Sequence, residues 1–387
     1  QFTTGAETPF QGIYRLLPGE TIVVRDGRIG ERVRLAALPP GGHGVISKME
    51  ALQRFDRVFT DAVNVHQRSD VPYGMFLSGG IDSTALLAVM RRLNPTPVEA
   101  FTAWFPNTGA ADERDQARTV AAAVGARHHE IEVTEADFWR QLPKIAAAMD
   151  DPAADYAVLP TYMLAGAAKA AGLKVVLSGE GGDELFGGYP WRYLHARDVK
   201  TFDEYIDEYY LYWQRLIPNA ELRKVLQPIE SETKHVWTRD IFRDVFPKDV
   251  SFPKTETDFI NLSLYFEAKT FLHGLLIVDD KLSMAHSLET RLPFLDNDFV
   301  DFATRIPVHL KVRLGQAVIR IDENEPRNKR ENHFIRTRDG KLILREAMAR
   351  YLPRATVDAY KHGFSGPDAS WFRGESIDYV RREIMDP

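Results

Sequence analysis

Tyr73-Gly74-Met75-Phe76-Leu77-Ser78-Gly79-Gly80-Ile81-Asp82-Ser83-Thr84 begins as an apolar run suited to a buried parallel strand and ends in a glycine turn. Leu86, Val89, Met90 and Leu93 follow at helical spacing, and Asn94-Pro95 stops the pattern. Strand, glycine turn, helix is the arrangement by which α/β proteins build an anion site. The glycines let backbone N–H groups approach phosphate oxygens, and the helix N-terminus adds partial positive charge. Two familiar phosphate loops are excluded. No Lys precedes the Ser/Thr as a Walker A loop requires, and Gly79-Gly80 does not supply G-x-G-x-x-G.

Outward from this stretch the chain alternates. A polar-faced helix is predicted from about 45 to 68, with Met49, Leu52, Phe55 and Phe59 on its apolar side. Downstream come a strand at 98–105, a helix at 112–124 closed by Gly125, a strand at 128–133, a helix at 159–171 closed by Gly172, and a strand at 174–177. Strands alternating with helices predict a doubly wound parallel α/β sheet. Beyond about residue 190 the chain turns to helices rich in Tyr, Trp and Phe. At the other end, Thr21 to Val24 followed by Arg25-Asp26-Gly27-Arg28 reads as a hairpin, and Leu38-Pro39-Pro40-Gly41-Gly42 as a linker.

A second glycine-rich turn, Ser178-Gly179-Glu180-Gly181-Gly182-Asp183-Glu184-Leu185-Phe186-Gly187-Gly188-Tyr189, follows the last of these strands. Acidic residues among glycines suit a site where carboxylates meet Mg²⁺-bound phosphates, since Mg²⁺ takes one or two carboxylates and keeps several waters. Asp82 and Asp183 are thus the expected metal ligands, facing each other across the switch point of the sheet.

The turn Ser78-Gly79-Gly80-Ile81-Asp82-Ser83 resembles the pyrophosphate-binding loop of the PP-loop ATP pyrophosphatases, an adenine nucleotide alpha hydrolase-like fold. Taken with Ser178 to Glu184, with Asp280 to Asp296 and with Lys361-His362-Gly363-Phe364-Ser365, the chain resembles the synthetase domain of glutamine-dependent asparagine synthetases from about residue 45 to its end. The resemblance implies that ATP with Mg²⁺ adenylates a carboxylate, releasing pyrophosphate, and that ammonia then displaces AMP to give an amide. It implies that the amides of Ser78, Gly79 and Gly80 and the hydroxyls of Ser83 and Thr84 hold pyrophosphate. Leu77, Ala103, Ser178 and Gly179 would frame adenine and ribose. Lys281 and Lys361 would neutralise the reacting phosphate, and Glu180 would take a proton as ammonia attacks. The similar β-lactam-forming synthetases carry Tyr where Glu180 stands, so Glu favours addition of ammonia over ring closure. Glu289 and Arg291 either line the pocket for the carboxylate substrate or form an ion pair under the domain. His128, His129 and His286 are read as structural.

Composition bounds the partners. Of 387 residues, 44% are hydrophobic, and the net charge of −6 gives no electrostatic footprint for nucleic acid. No apolar run is long enough to span a bilayer and no signal-peptide core is present, which makes cytoplasm the expected compartment. With 0 Cys there is no disulfide, thiolate metal site or thiol nucleophile. Residues 1–40, through Phe10 to Glu20, resemble the closing hairpin of the family's N-terminal glutaminase domain, and 41–387 the amidation domain. The glutaminase uses an N-terminal Cys, so this chain is expected to use ammonium salts and not glutamine. Its start at Gln1 rather than Met marks it as a portion whose front half is missing. Aspartate is the expected acceptor. A sugar uronate or natural-product acid, and an inactive nucleotide-binding scaffold, are the alternatives. Family members are often dimers, so the resemblance also raises a homodimer.

Overall fold

A computed structural model describes residues 3, 5–35, 38, 41, 44–106, 113–150, 155, 157–214, 217, 219–248, 255–313, 339–358 and 375–385. Two sheets form. β1 (Glu20–Arg25) and β2 (Arg28–Arg34) make an antiparallel hairpin of their own. Its turn residues Asp26 and Gly27 both take positive φ, 49° and 73°, the two-residue geometry whose twist matches the strands.

The main sheet is wholly parallel, in the order β5-β4-β3-β6-β7. Its strands are β3 (Tyr73–Phe76), β4 (Glu99–Trp104), β5 (Arg127–Glu132), β6 (Val175–Leu177) and β7 (Glu289–Arg291). From β3 the chain winds one way through α2 (Ile81–Leu93) to β4 and α3 (Arg114–Val124) to β5. It then passes through α4 (Glu135–Ala148) and α5 (Val158–Ala170) and returns to the other side of β3 as β6. That reversal puts the ends of β3 and β6 side by side, with Met75 opposite Leu177.

Alternation along the strands builds a core on each face. Met75, Ala100, Val175 and Leu177 join α2, α3 and α1 (Lys48–His66) on one side. Phe101, Ala103 and Val176 join α5 and α12 (Phe271–Met284) on the other. The doubly wound α/β sheet expected from the alternation is present. α1 starts at Ser47, whose hydroxyl accepts from Glu50 N–H, and buries Leu52, Phe55 and Phe59. Met49, placed on that apolar side by its spacing, is instead 71% exposed. It sits in the first turn, beyond the reach of the core.

The helical half contains α6 (Gly182–Phe186), α7 (Phe202–Trp213), α8 (Asn219–Val225), α9 (Glu230–Thr233), α10 (Thr238–Asp244) and α11 (Glu256–Lys269). After β7 come α13 (Asn297–Arg305), α14 (Val308–Lys311) and α15 (Leu342–Met348). Tyr193, Tyr205, Tyr209, Phe242, Phe246, Phe259 and Phe266 form its aromatic core. Burying each such ring contributes roughly 1.5–3 kcal/mol. Glu267 is buried inside it, accepting from Tyr209 Oη at 3.0 Å and Tyr193 Oη at 3.3 Å, with Arg192 at 3.7 Å. Arg192 also lies 3.8 Å above the ring of Tyr189, which ties the end of the second glycine loop to this core.

Candidate active site

The two glycine loops leave the carboxyl ends of β3 and β6, at the switch point where open α/β sheets bind ligands. In the first loop, Gly80 is the N-cap of α2 and makes no side-chain cap bond, as suits a helix end that receives an anion. Ser83 and Thr84, expected to hold pyrophosphate, here brace the loop itself. Ser83 Oγ donates to Gly80 O at 3.2 Å and accepts from Ser78 N–H at 3.2 Å. Thr84 is fully buried and its Oγ1 donates to Gly79 O at 3.3 Å. Gln116 on α3 donates to the same carbonyl at 2.6 Å. Beneath the loop, Thr102 Oγ1 donates to Leu77 O at 2.6 Å and lies 2.7 Å from His128 Nε2. Its one proton goes to Leu77, so the imidazole supplies the other. Ala103 is on the adjacent strand, next to Thr102.

The second loop interlocks with the first. A Cβ on Gly182 would lie 2.4 Å from Asp82 Oδ1, and one on Gly179 would lie 2.8 Å from Ser83 N. These two positions are glycine because another segment's atoms take the space a side chain would fill. Ser178 N–H donates to Arg291 O at 3.0 Å, so β7 anchors the loop's base.

Between the loops sits a residue that sequence reasoning missed. Lys341 is 3% exposed and its ammonium bonds both Asp82 Oδ2 and Asp183 Oδ1, the latter at 2.7 Å. Burial pushes its pKa down, but Asp183 and Asp82 more than offset this and hold it above its ordinary value. The only sequence signal was a lysine beside glycine in Asp339-Gly340-Lys341. Nothing local shows that it faces two carboxylates so distant in the chain.

Glu180 stands in a group of acids. Burial first, then Asp279, Glu184 and Asp155, pushes its carboxyl well above the ordinary range. Its Oε2 is buried with no hydrogen-bond partner among the described residues. Asp279, on α12, is 5% exposed, and burial raises it to about 7. Such a carboxyl cluster favours keeping protons near neutral pH, which is what a group poised to exchange a proton requires. Asp279 was also missed, because Val278-Asp279-Asp280-Lys281 reads as a charged helix surface.

The other expected residues are placed differently. Lys281 pairs with Asp150 rather than with either loop. Arg291 pairs with Glu289 at 2.7 Å and donates to His66 O and Arg68 O at 3.0 and 2.8 Å. Those carbonyls precede β3, so the two side chains sit at the opposite end of the sheet from the loops, as an ion pair. Lys361 and its neighbours to Ser365 lie outside the described residues, as do Pro39, Pro40 and Gly42 of the expected linker. His286 packs against Tyr162, ring centroids 4.2 Å apart, away from the loops.

The donor set fits Mg²⁺ shared with phosphates. Asp82 and Asp183 offer hard carboxylate oxygens at the mouth of a glycine cradle. Among the described residues no cluster of three or more His, Asp or Glu forms a self-sufficient metal site. Nor is any described helix long and apolar enough to cross a membrane.

Comparison with known proteins agrees with this geometry. The chain matches the family described as Asparagine synthase over residues 54–387. It is 32% identical over 351 residues to the glutamine-hydrolyzing asparagine synthetase 1 of Bacillus subtilis, covering 84% of this chain and 51% of that protein. It is 28% identical to asparagine synthetase B of Escherichia coli, covering 80% and 44% respectively. It is 25% identical to the amidase chyE of Penicillium rubens, covering 95% and 60%. The chain thus spans about half the length of these curated relatives.

Proposed function

The chain belongs to the asparagine synthase family, and from that premise we propose that it is an AMP-forming amide ligase whose acceptor is the side-chain carboxylate of L-aspartate. One observation supports the ligase reading above the rest: two glycine loops meet at the switch point, with Asp82 and Asp183 bridged by one lysine and Glu180 Oε2 buried in the second loop among Asp279, Glu184 and Asp155.

In the first step an acceptor carboxylate oxygen attacks the α-phosphorus of ATP, the bond to the β-phosphate oxygen breaks, and pyrophosphate leaves. The amides of Ser78, Gly79 and Gly80 and the N-terminus of α2 receive the departing phosphates, with Leu77, Ala103, Ser178 and Gly179 around the nucleoside. Asp82 and Asp183 would hold Mg²⁺, which supplies Lewis-acid neutralisation of phosphate charge when bound. Lys361 adds positive charge at the phosphate, as Lys281 does if its pairing with Asp150 opens. Fixed charge placed where negative charge develops is the main device available for phosphoryl chemistry.

In the second step ammonia attacks the acyl carbon, AMP leaves with the bonding pair, and the nitrogen loses a proton. Glu180 is the base. Its raised pKa matches it to that transfer better than an ordinary carboxylate, and such help is typically worth ~10²–10⁴-fold.

Residues 1–40 act as the closing hairpin of a glutaminase domain and 41–387 as the amidation domain. The nitrogen that this domain adds is ammonia. The likeness to a protein named an amidase keeps a second reading alive, in which another carboxylic acid is amidated. AMP and pyrophosphate release with Mg·ATP and ammonium chloride, with and without L-aspartate, tests both. Aspartate-dependent release with asparagine as product supports the first reading. ATP binding without aspartate-dependent release refutes it in favour of the second, and no ATP binding refutes both.

A further inference from the structure

Lys341 belongs to neither glycine motif, yet its ammonium bridges Asp82 Oδ2 and Asp183 Oδ1, beside the carboxylate oxygens that a divalent ion would use. Its backbone, the glycine before it and its side chain all lie close against the second loop. Its N–H donates to Phe186 O at 3.0 Å, a Cβ on the preceding Gly340 would lie 2.3 Å from Gly187 O, and one on Gly188 would lie 2.7 Å from Lys341 Cε. The side chain is 3% exposed, and its two partners are 15% and 20% exposed. Such a lysine does not swing freely into solvent. It is a resident cation, held by the same packing that shapes the second loop.

Two carboxylates without a counter-ion would attract any divalent ion. With an ammonium already in contact with both, a bare divalent ion meets half the negative charge and a neighbouring like charge at close range. The shortfall is made up when phosphate oxygens arrive with the metal, because they bring both ligands and negative charge. We propose that Lys341 is a built-in counter-cation that makes metal uptake by Asp82 and Asp183 depend on nucleotide, so that the site refuses the free ion and accepts the metal–nucleotide complex. This rests on the reading of the site as an ATP site.

The test uses Mn²⁺ alone as the probe, its free aquo ion followed by electron paramagnetic resonance, on the whole chain without nucleotide. Wild type is expected to take up little Mn²⁺ at this site. Lys341→Met is expected to bind at least about tenfold more tightly, a conservative step beside the Coulomb attraction restored. Lys341→Arg keeps the charge and is expected to behave as wild type. Uptake by Lys341→Met must vanish when Asp82→Asn or Asp183→Asn is added.

Should Lys341→Met fail to fold, the wild type still decides. Mn²⁺ uptake by nucleotide-free wild type that Asp82→Asn or Asp183→Asn abolishes overturns the proposal. So does a folded Lys341→Met that binds Mn²⁺ no better than wild type. Binding of a non-hydrolysable ATP analogue with Mg²⁺ to wild type is measured in parallel. No analogue binding means that the ATP reading has failed. Analogue binding with an indifferent Lys341→Met means that only the role of Lys341 has.

Discussion

Asp279→Asn isolates the cost of one buried acid. The wild-type carboxyl is raised from 3.8 to about 7, chiefly by burial, with Asp280 adding to it and Thr290 opposing. The sign follows from proton binding. The folded state holds the proton more tightly than the unfolded state, so this group's contribution is fully present below about pH 4 and is lost as pH rises through about 7. A shift of about three pH units at ~1.36 kcal/mol each comes to about 4 kcal/mol. Because Glu180 belongs to the same carboxyl group, part of that energy is shared with it, and ~2–4 kcal/mol is the expected share. For a chain of this length the unfolding entropy converts this to a difference in Tm of roughly 2–5 °C. The assay is thermal unfolding at one scan rate, at pH 5 and pH 8. Because about two of the three units fall between pH 5 and pH 8, wild type should lose roughly 2–3 °C more than Asp279→Asn between those pH values, since the asparagine keeps the shape without the titrating proton. Parallel pH curves for the two proteins would refute the reasoning.

Glu180→Gln should cut ammonium-dependent amide formation by ~10²–10⁴-fold while sparing ATP–pyrophosphate exchange; equal loss of both would remove the base assignment. In wild type, amidation at saturating ammonia should climb with pH through the raised pKa of Glu180, because only the deprotonated carboxylate accepts a proton, and a pH-flat rate would count against it. Asp82→Asn and Asp183→Asn should each abolish AMP formation, measured by nucleotide chromatography. Thr102→Val removes the bond to Leu77 O, worth about 1 kcal/mol, and should raise the KM for ATP about fivefold with kcat little changed; an unchanged KM would show that this carbonyl needs no support.

The sheet was legible because its signals are local. Met75, Val175 and Leu177 are apolar at short strand spacing, and Gly125 and Gly172 end their helices with φ of 70° and 85°. The two glycine loops were legible for the same reason, each a contiguous pattern with one plausible geometry. α4 escaped because Pro143 interrupts its apolar pattern where a helix would be expected to break, although Thr134 and Asp137 form a capping box that marks its start. β7 escaped because three residues, Glu289, Thr290 and Arg291, carry too little pattern to read as a strand. Its pairing with β6 comes from tertiary packing, and that packing also turns Arg291 toward the carbonyls of His66 and Arg68. Lys341 and Asp279 were invisible for a deeper reason. Their chemistry lies in what they face, and what they face was supplied by segments far away in sequence.

The bond from Lys341 to Asp82 joins residues 259 apart. While the chain is being made, the first glycine loop leaves the ribosome long before the lysine that neutralises it. For that interval Asp82 and later Asp183 stand without their ammonium, on a sheet whose last strand is also still to come. The nascent chain therefore carries every residue of both glycine loops before the cation that ties them together has been made.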